Sequence, residues 1–263
     1  MTRKTKKKSP IKPEPIRIDL KAPTNWQEVT TEQLRFIVDL VNKGLSREEY
    51  LLVLLCEFTG IKMVSGTSKQ NATSTGSETV KATFKTAEGQ LFTLEDWQVS
   101  DFCGRLSFVF DDPMPIETAW PFKWDRYLMD TTFGDWFHAD AQMLGLTLDG
   151  DFERLKGAMK DLGDPHEDLQ PLDADVVLML KWYDCFKAWL QQRYPLVFQK
   201  AEPGMESPTS PIEARQSIML MLNDGRPQDN EAIEKSNMHD VLAALQHKIE
   251  EAKHIEEQMK KIS

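Results

Sequence analysis

Apolar residues recur at helical steps through most of this chain, most densely over residues 173–198. There Leu178, Trp182, Phe186 and Trp189, with Met179, Tyr183 and Leu190 beside them, share one broad face of a helix. Asp173 suits the N-cap and Pro195 marks the exit. A face with two Trp, a Tyr and a Phe can bury several side chains worth about 1.5–3 kcal/mol each. The pattern therefore predicts a core helix around which the remaining elements gather.

Toward the N-terminus the same period appears twice in succession. Thr30 and Gln33 have capping-box spacing and Val29 and Leu34 staple spacing, so a helix starts here. Its buried stripe is Leu34, Ile37, Val38 and Val41, and Gly44 stops it. Ser46 with Glu49, Leu45 with Tyr50 and a stop at Gly60 repeat the grammar. Leu51, Leu52, Leu54, Leu55 and Phe58 leave little of the second helix polar, so it packs on more than one side. Two helices joined this closely form an αα-hairpin.

Residues 64–79 are Ser, Thr, Gly and Asn without apolar period, which predicts a mobile loop. Val80, Ala82 and Phe84 then alternate with polar residues, Ala87-Glu88-Gly89 can turn, and residues 90–94 return as a hairpin. Leu106, Phe108 and Phe110 alternate likewise and predict a third strand. Beyond three prolines between residues 113 and 123, with Trp120, Phe122 and Trp124 as anchors, Thr131 or Thr132 caps a helix carrying Phe133, Trp136, Phe137 and Met143 or Leu144. A shorter amphipathic piece on Phe152, Leu155, Met159 and Leu162 follows. The expected fold is mainly α: one helical core over residues 22–199 with a small antiparallel sheet, hairpin or three strands, inserted at about 80–110.

Both ends differ in composition. Residues 1–21 are basic and Pro-containing, which predicts a disordered arm; residues 200–211 read as a linker. Residues 212–263 form a helical segment, with a short helix to Leu222, a break over 223–230 and a final helix over 232–262. The seam of that last helix is Val241, Leu242, Leu245, Ile249, Ala252, Ile255 and Met259, which either fills a partner's groove or folds back on the core.

Charge and chemistry narrow the function classes. A formal net charge of −10 argues against coating nucleic acid or anionic membrane as the main activity. The basic arm, with Arg3, Lys4, Lys6, Lys7 and Lys8, keeps a nucleic-acid adaptor as an alternative. Cys56, Cys103 and Cys185 are odd in number and apolar in setting, as in a reduced cytoplasmic protein. No apolar run is long enough to span a membrane. The five His lack ligand spacing, both phosphate-loop patterns are missing, and there is no GxSxG. Paired carboxylates such as Asp111 with Asp112 sit where caps and turns want them. The sequence thus offers no catalytic residue, metal ligand or cofactor site and points to a protein that is not an enzyme.

One resemblance adds a class of function. Pro23-Thr24-Asn25-Trp26 with Val29-Thr30 and Gln33 comes first, then Phe58-Thr59-Gly60-Ile61 and Thr132-Phe133-Gly134-Asp135-Trp136-Phe137. Trp182-Tyr183, then Tyr194-Pro195-Leu196-Val197-Phe198, and the charged C-terminal helix complete the order of parts. That order resembles tail assembly chaperone-like proteins encoded among the tail genes of prophages and tailed phages of Bacteroidetes-type bacteria. The resemblance implies a helper in the host cytoplasm that binds tape-measure or tail-tube subunits and keeps them from aggregating. The principal alternative is a connector or baseplate-like component that stays in the virion. Twelve Met fit adaptable contacts as well as core gap-filling.

Overall fold

The computed structural model describes residues 20–41, 43–68, 81–198 and 211–262. The basic arm with Arg3, Lys4, Lys6, Lys7 and Lys8, residues 69–80 and the stretch read as a linker, apart from Pro211, lie outside them. Among the described residues the fold is mainly α, with ten helices and one three-stranded antiparallel sheet.

The local signals at the N-terminus operate as expected. Helices α1 (Thr31–Val41) and α2 (Arg47–Thr59) follow one another. The Gln33 side chain accepts from the Thr30 amide at 2.9 Å, the Thr30 hydroxyl accepts from the Gln33 amide at 3.3 Å, and Ser46 with Glu49 closes a second capping box. Gly60 ends α2 at φ 68°, a left-handed conformation that a Cβ would strain. Leu34, Ile37, Val38 and Leu40 are buried, whereas Val41, expected in the stripe, is 65% exposed.

The sheet lies earlier in the chain than expected. It comprises β1 (Lys62–Ser68), β2 (Lys81–Lys85) and β3 (Leu91–Glu95) in that order, with both neighbouring pairs antiparallel. Residues 64–68, the start of the expected Ser/Thr loop, are therefore strand, and the β2–β3 hairpin turns where expected, with Gly89 at φ 89°. Leu106, Phe108 and Phe110 do not form a strand. Glu95 and Gln98 make a capping box that starts α3 (Asp96–Arg105), and the chain continues into the helical turn α4 (Phe108–Asp111). Leu106 and Phe108 are then buried together, while Phe110 is 45% exposed. A three-residue alternation carries too little information to outweigh a helix already nucleated upstream.

The C-terminal half contains α5 (Phe133–Asp149), α6 (Glu153–Asp161), α7 (Ala174–Arg193), α8 (Pro211–Leu222), α9 (Asn230–Lys235) and α10 (Met238–Ile262). The single helix expected over 232–262 is thus broken at Ser236 and Asn237. Asn237 donates to the Met129 carbonyl and accepts from the His239 amide at 2.8 Å, so its side chain serves a tertiary contact and a new helix start together. Around it the Phe133 amide donates to the Ser236 carbonyl and the Met238 amide to the Thr131 carbonyl, closing an antiparallel bridge between Thr132 and Asn237. Gly134 lets α9 come close: a Cβ there would meet the Glu234 carbonyl oxygen at 3.2 Å.

Two hydrophobic clusters result. The larger joins α5, α6 and α7 to Met219, Met238, Val241 and Leu242 of the C-terminal helices; the smaller joins Trp26, α1, α2, Leu106 and Phe108. Helix α7 is the shared wall. Its Met179, Trp182, Phe186 and Leu190 face the larger cluster and Leu178 the smaller, while Lys181, Asp184 and Ala188 stay exposed.

Candidate partner-binding surfaces

The seam of α10 divides into two parts. Val241, Leu242 and Leu245 are buried on the protein's own core, and Ile249 is half-buried. His239 helps to hold this part down: its Nε2 donates to the Tyr127 carbonyl at 2.7 Å, which leaves Nδ1 to accept the Tyr194 hydroxyl at 3.0 Å. Lys248 donates to the Met221 carbonyl at 2.8 Å and pairs with Asp224, fastening the end of α8. From Glu250 to Lys260 every residue is exposed, including Ala252, Ile255 at 57% and Met259 at 66%. Of the seven seam residues, Ala252, Ile255 and Met259 are the solvent-exposed ones.

Sequence reasoning did not find the groove between α1, α4 and α7, about 710 Å³ in volume. Ile37 and Val38 of α1, Val177 of α7 and Met114 supply apolar walls. Val41, Phe110 and Ala188 lie exposed at its margins, with Lys181, Asp184 and Asp112 as the charges. The walls are tied in place. Arg35 makes a two-pronged pair with Asp175, at 2.8 and 3.2 Å, which locks α1 to α7. The Trp26 indole donates to the Asp112 carbonyl at 3.1 Å, and the Cys185 thiol to the Met114 carbonyl at 3.0 Å. Tyr50 donates to the Ile37 carbonyl, and burial pushes its phenol up to about 12, so it stays a neutral donor across the physiological range. The signal in the sequence was the excess of apolar residues on α1: a stripe that includes Val41 is wider than α2 alone covers.

The aromatic side chains around Trp182 pack against one another instead of opening a cleft. Trp182 stacks on Phe186 at 5.1 Å between ring centroids and meets Trp124 at 5.3 Å. The space left between Trp136, Asp140, Trp182 and Tyr183 is about 10 Å³, room for one water at most. Asp140 there accepts from the Tyr183 hydroxyl at 2.7 Å and from Lys187 at 2.8 Å. Burial, and then the charge of Asp140, holds the Tyr183 phenol far above its ordinary range. Asp164, 1% exposed, accepts from the Lys123 amide at 3.2 Å and pairs with Lys123 Nζ at 2.7 Å and His166 at 3.4 Å. Its burial raises the carboxyl's pKa, but the Lys123 and His166 contacts together outweigh that and leave it below the usual carboxylate value.

No protein-family model, curated protein or solved structure matches the chain.

The remaining candidate chemistry is placed as follows. Among the described residues no three His, Cys, Asp or Glu side chains are grouped to hold a metal ion, and no helix is long and apolar enough to cross a membrane. His247 pairs with Glu251 at 3.4 Å and His254 with Gln258 at 2.8 Å, each along the exposed face of α10. Cys56, Cys103 and Cys185 are free and half-buried, and burial pushes all three thiols up, Cys103 to about 11. That protonation state suits packing, since nucleophilic attack needs the thiolate. The Asp111 carboxylate faces Arg47 at 2.7 Å, and its hydrogen bonds lower its pKa.

Proposed function

We infer that this chain is a non-enzymatic assembly factor that shelters an apolar helical segment of a partner protein. The observation that carries the reading is the preformed groove between α1, α4 and α7, about 710 Å³ with apolar walls and charges at the margin, the character of a site for one face of an amphipathic helix. The exposed end of α10, with Ala252, Ile255 and Met259, supplies a second, adjustable contact. Read with the resemblance to tail assembly chaperone-like proteins, the partner is a tape-measure or tail-tube subunit and the setting is the host cytoplasm.

The test is capture of co-expressed tape-measure and tail-tube fragments by the full chain. Val41→Asp and Ala188→Asp change exposed positions of the groove margin, so they leave the melting transition in place while weakening capture about tenfold or more. Unchanged capture by both variants refutes the groove. Purified particles separate the two structural roles, because an assembly factor is missing from them and a connector or baseplate component is retained.

A further inference from the structure

The two outer strands of the sheet differ. Strand β1 is irregular against β2, with register shifts between Met63 and Ser65 and again between Ser65 and Ser68, the kind of bulging that discourages further pairing. Strand β3 is regular: all five residues pair in step with β2, from Lys85 with Leu91 to Lys81 with Glu95. Among the described residues nothing pairs with its outer edge. Two large apolar side chains lie exposed there, Leu91 at 59% and, two residues past the strand, Trp97 at 65%, its indole donating to Glu95 at 2.7 Å.

We propose that the β3 edge pairs antiparallel with the β3 edge of a second copy of this chain about a two-fold axis at Thr93, making one continuous six-stranded sheet. The strand is complementary to itself in that register. Thr93 faces Thr93 of the second copy, a favourable cross-strand pair. Phe92 faces Leu94 twice, on the side of the sheet where Phe84 is fully buried and packs on Phe92. Leu91 faces Glu95, so no like charges are opposed. An interface that uses the same strand from both copies closes after two, which separates this pairing from open-ended edge aggregation.

Sedimentation velocity of the full chain across a micromolar concentration series shows a monomer–dimer equilibrium. Thr93→Lys puts two ammonium groups face to face on the axis and weakens the dimer about tenfold or more, with the circular dichroism spectrum unchanged. Under copper–phenanthroline oxidation Thr93→Cys gives a disulfide between the two copies of residue 93, identified by peptide mapping, whereas Leu91→Cys gives none between copies of residue 91. A chain that stays monomeric throughout the series overturns the proposal. So does a dimer as tight in Thr93→Lys as in the parent, or efficient cross-linking through residue 91. Capture of tail subunits is read separately, so either outcome leaves the groove reading to its own test.

Discussion

Helix α7 has a hydrophobic cluster on each side, and the two are built differently. The N-terminal cluster is mostly aliphatic, with Leu34, Leu40, Leu54 and Leu55 nearly or fully buried, and its helices begin and end on signals a few residues away. The C-terminal cluster is rich in aromatics and closes through contacts distant in sequence, such as Asn237 with Met129 and His239 with Tyr127. The contrast shows that one core can be assembled by two means. On the N-terminal side local caps set the helix ends and distant pairs such as Arg35 with Asp175 dock them, whereas irregular segments such as residues 112–132 are shaped by side chains from elsewhere.

The largest effect expected from this contrast is on removal of residues 203–263. Met219, Met238, Val241, Leu242 and Leu245 are all buried, so their loss forfeits about 7–15 kcal/mol at roughly 1.5–3 kcal/mol each, comparable with the whole stability of a domain. Urea titration of the truncated chain then shows no cooperative transition; a sharp transition at the parent midpoint breaks the comparison. Next come single truncations on the two sides. Trp182→Ala costs about 3–5 kcal/mol and Leu54→Ala about 2–5, and because both clusters rest on α7 each variant shifts one common transition. Two separate transitions by fluorescence and circular dichroism show that the clusters are independent.

A smaller effect, confined to the C-terminal side, concerns acid. Asp164 has a folded pKa below the ordinary 3.8, so its stabilisation is complete above that value and is lost as pH falls below it toward the folded value. Asp164→Asn removes this part of the acid limb and lowers neutral stability by about 1–3 kcal/mol, read from urea midpoints at several pH values. The smallest effect is expected on removing residues 250–263, in which every residue from Glu250 to Lys260 is exposed: stability changes by less than about 0.5 kcal/mol while partner capture falls.

These differences also explain what the sequence could tell. Helical period and caps made α1, α2, α5 and α7 legible, since Thr30, Ser46, Thr132 and Gly60 act within one turn of where they stand. Strand β1 was hidden by its Ser, Thr and Gly content, and α3 by a Glu95 and Gln98 cap in place of the usual Ser or Thr. The break in the last helix had a local sign, an Asn with an acidic residue three positions on, but its cause lies at Met129. The groove was the least legible, because its walls come from α1, α4 and α7, which no periodicity relates.

The shared position of Leu178 also bears on the order of events during synthesis. Helices α1 and α2 leave the ribosome some 120 residues ahead of the residue that completes their cluster, a wait on the order of ten seconds at ordinary translation rates. Throughout that interval Leu34, Leu54 and Leu55 lack their final neighbour, so this apolar surface stays unfinished while the second half of the chain is made.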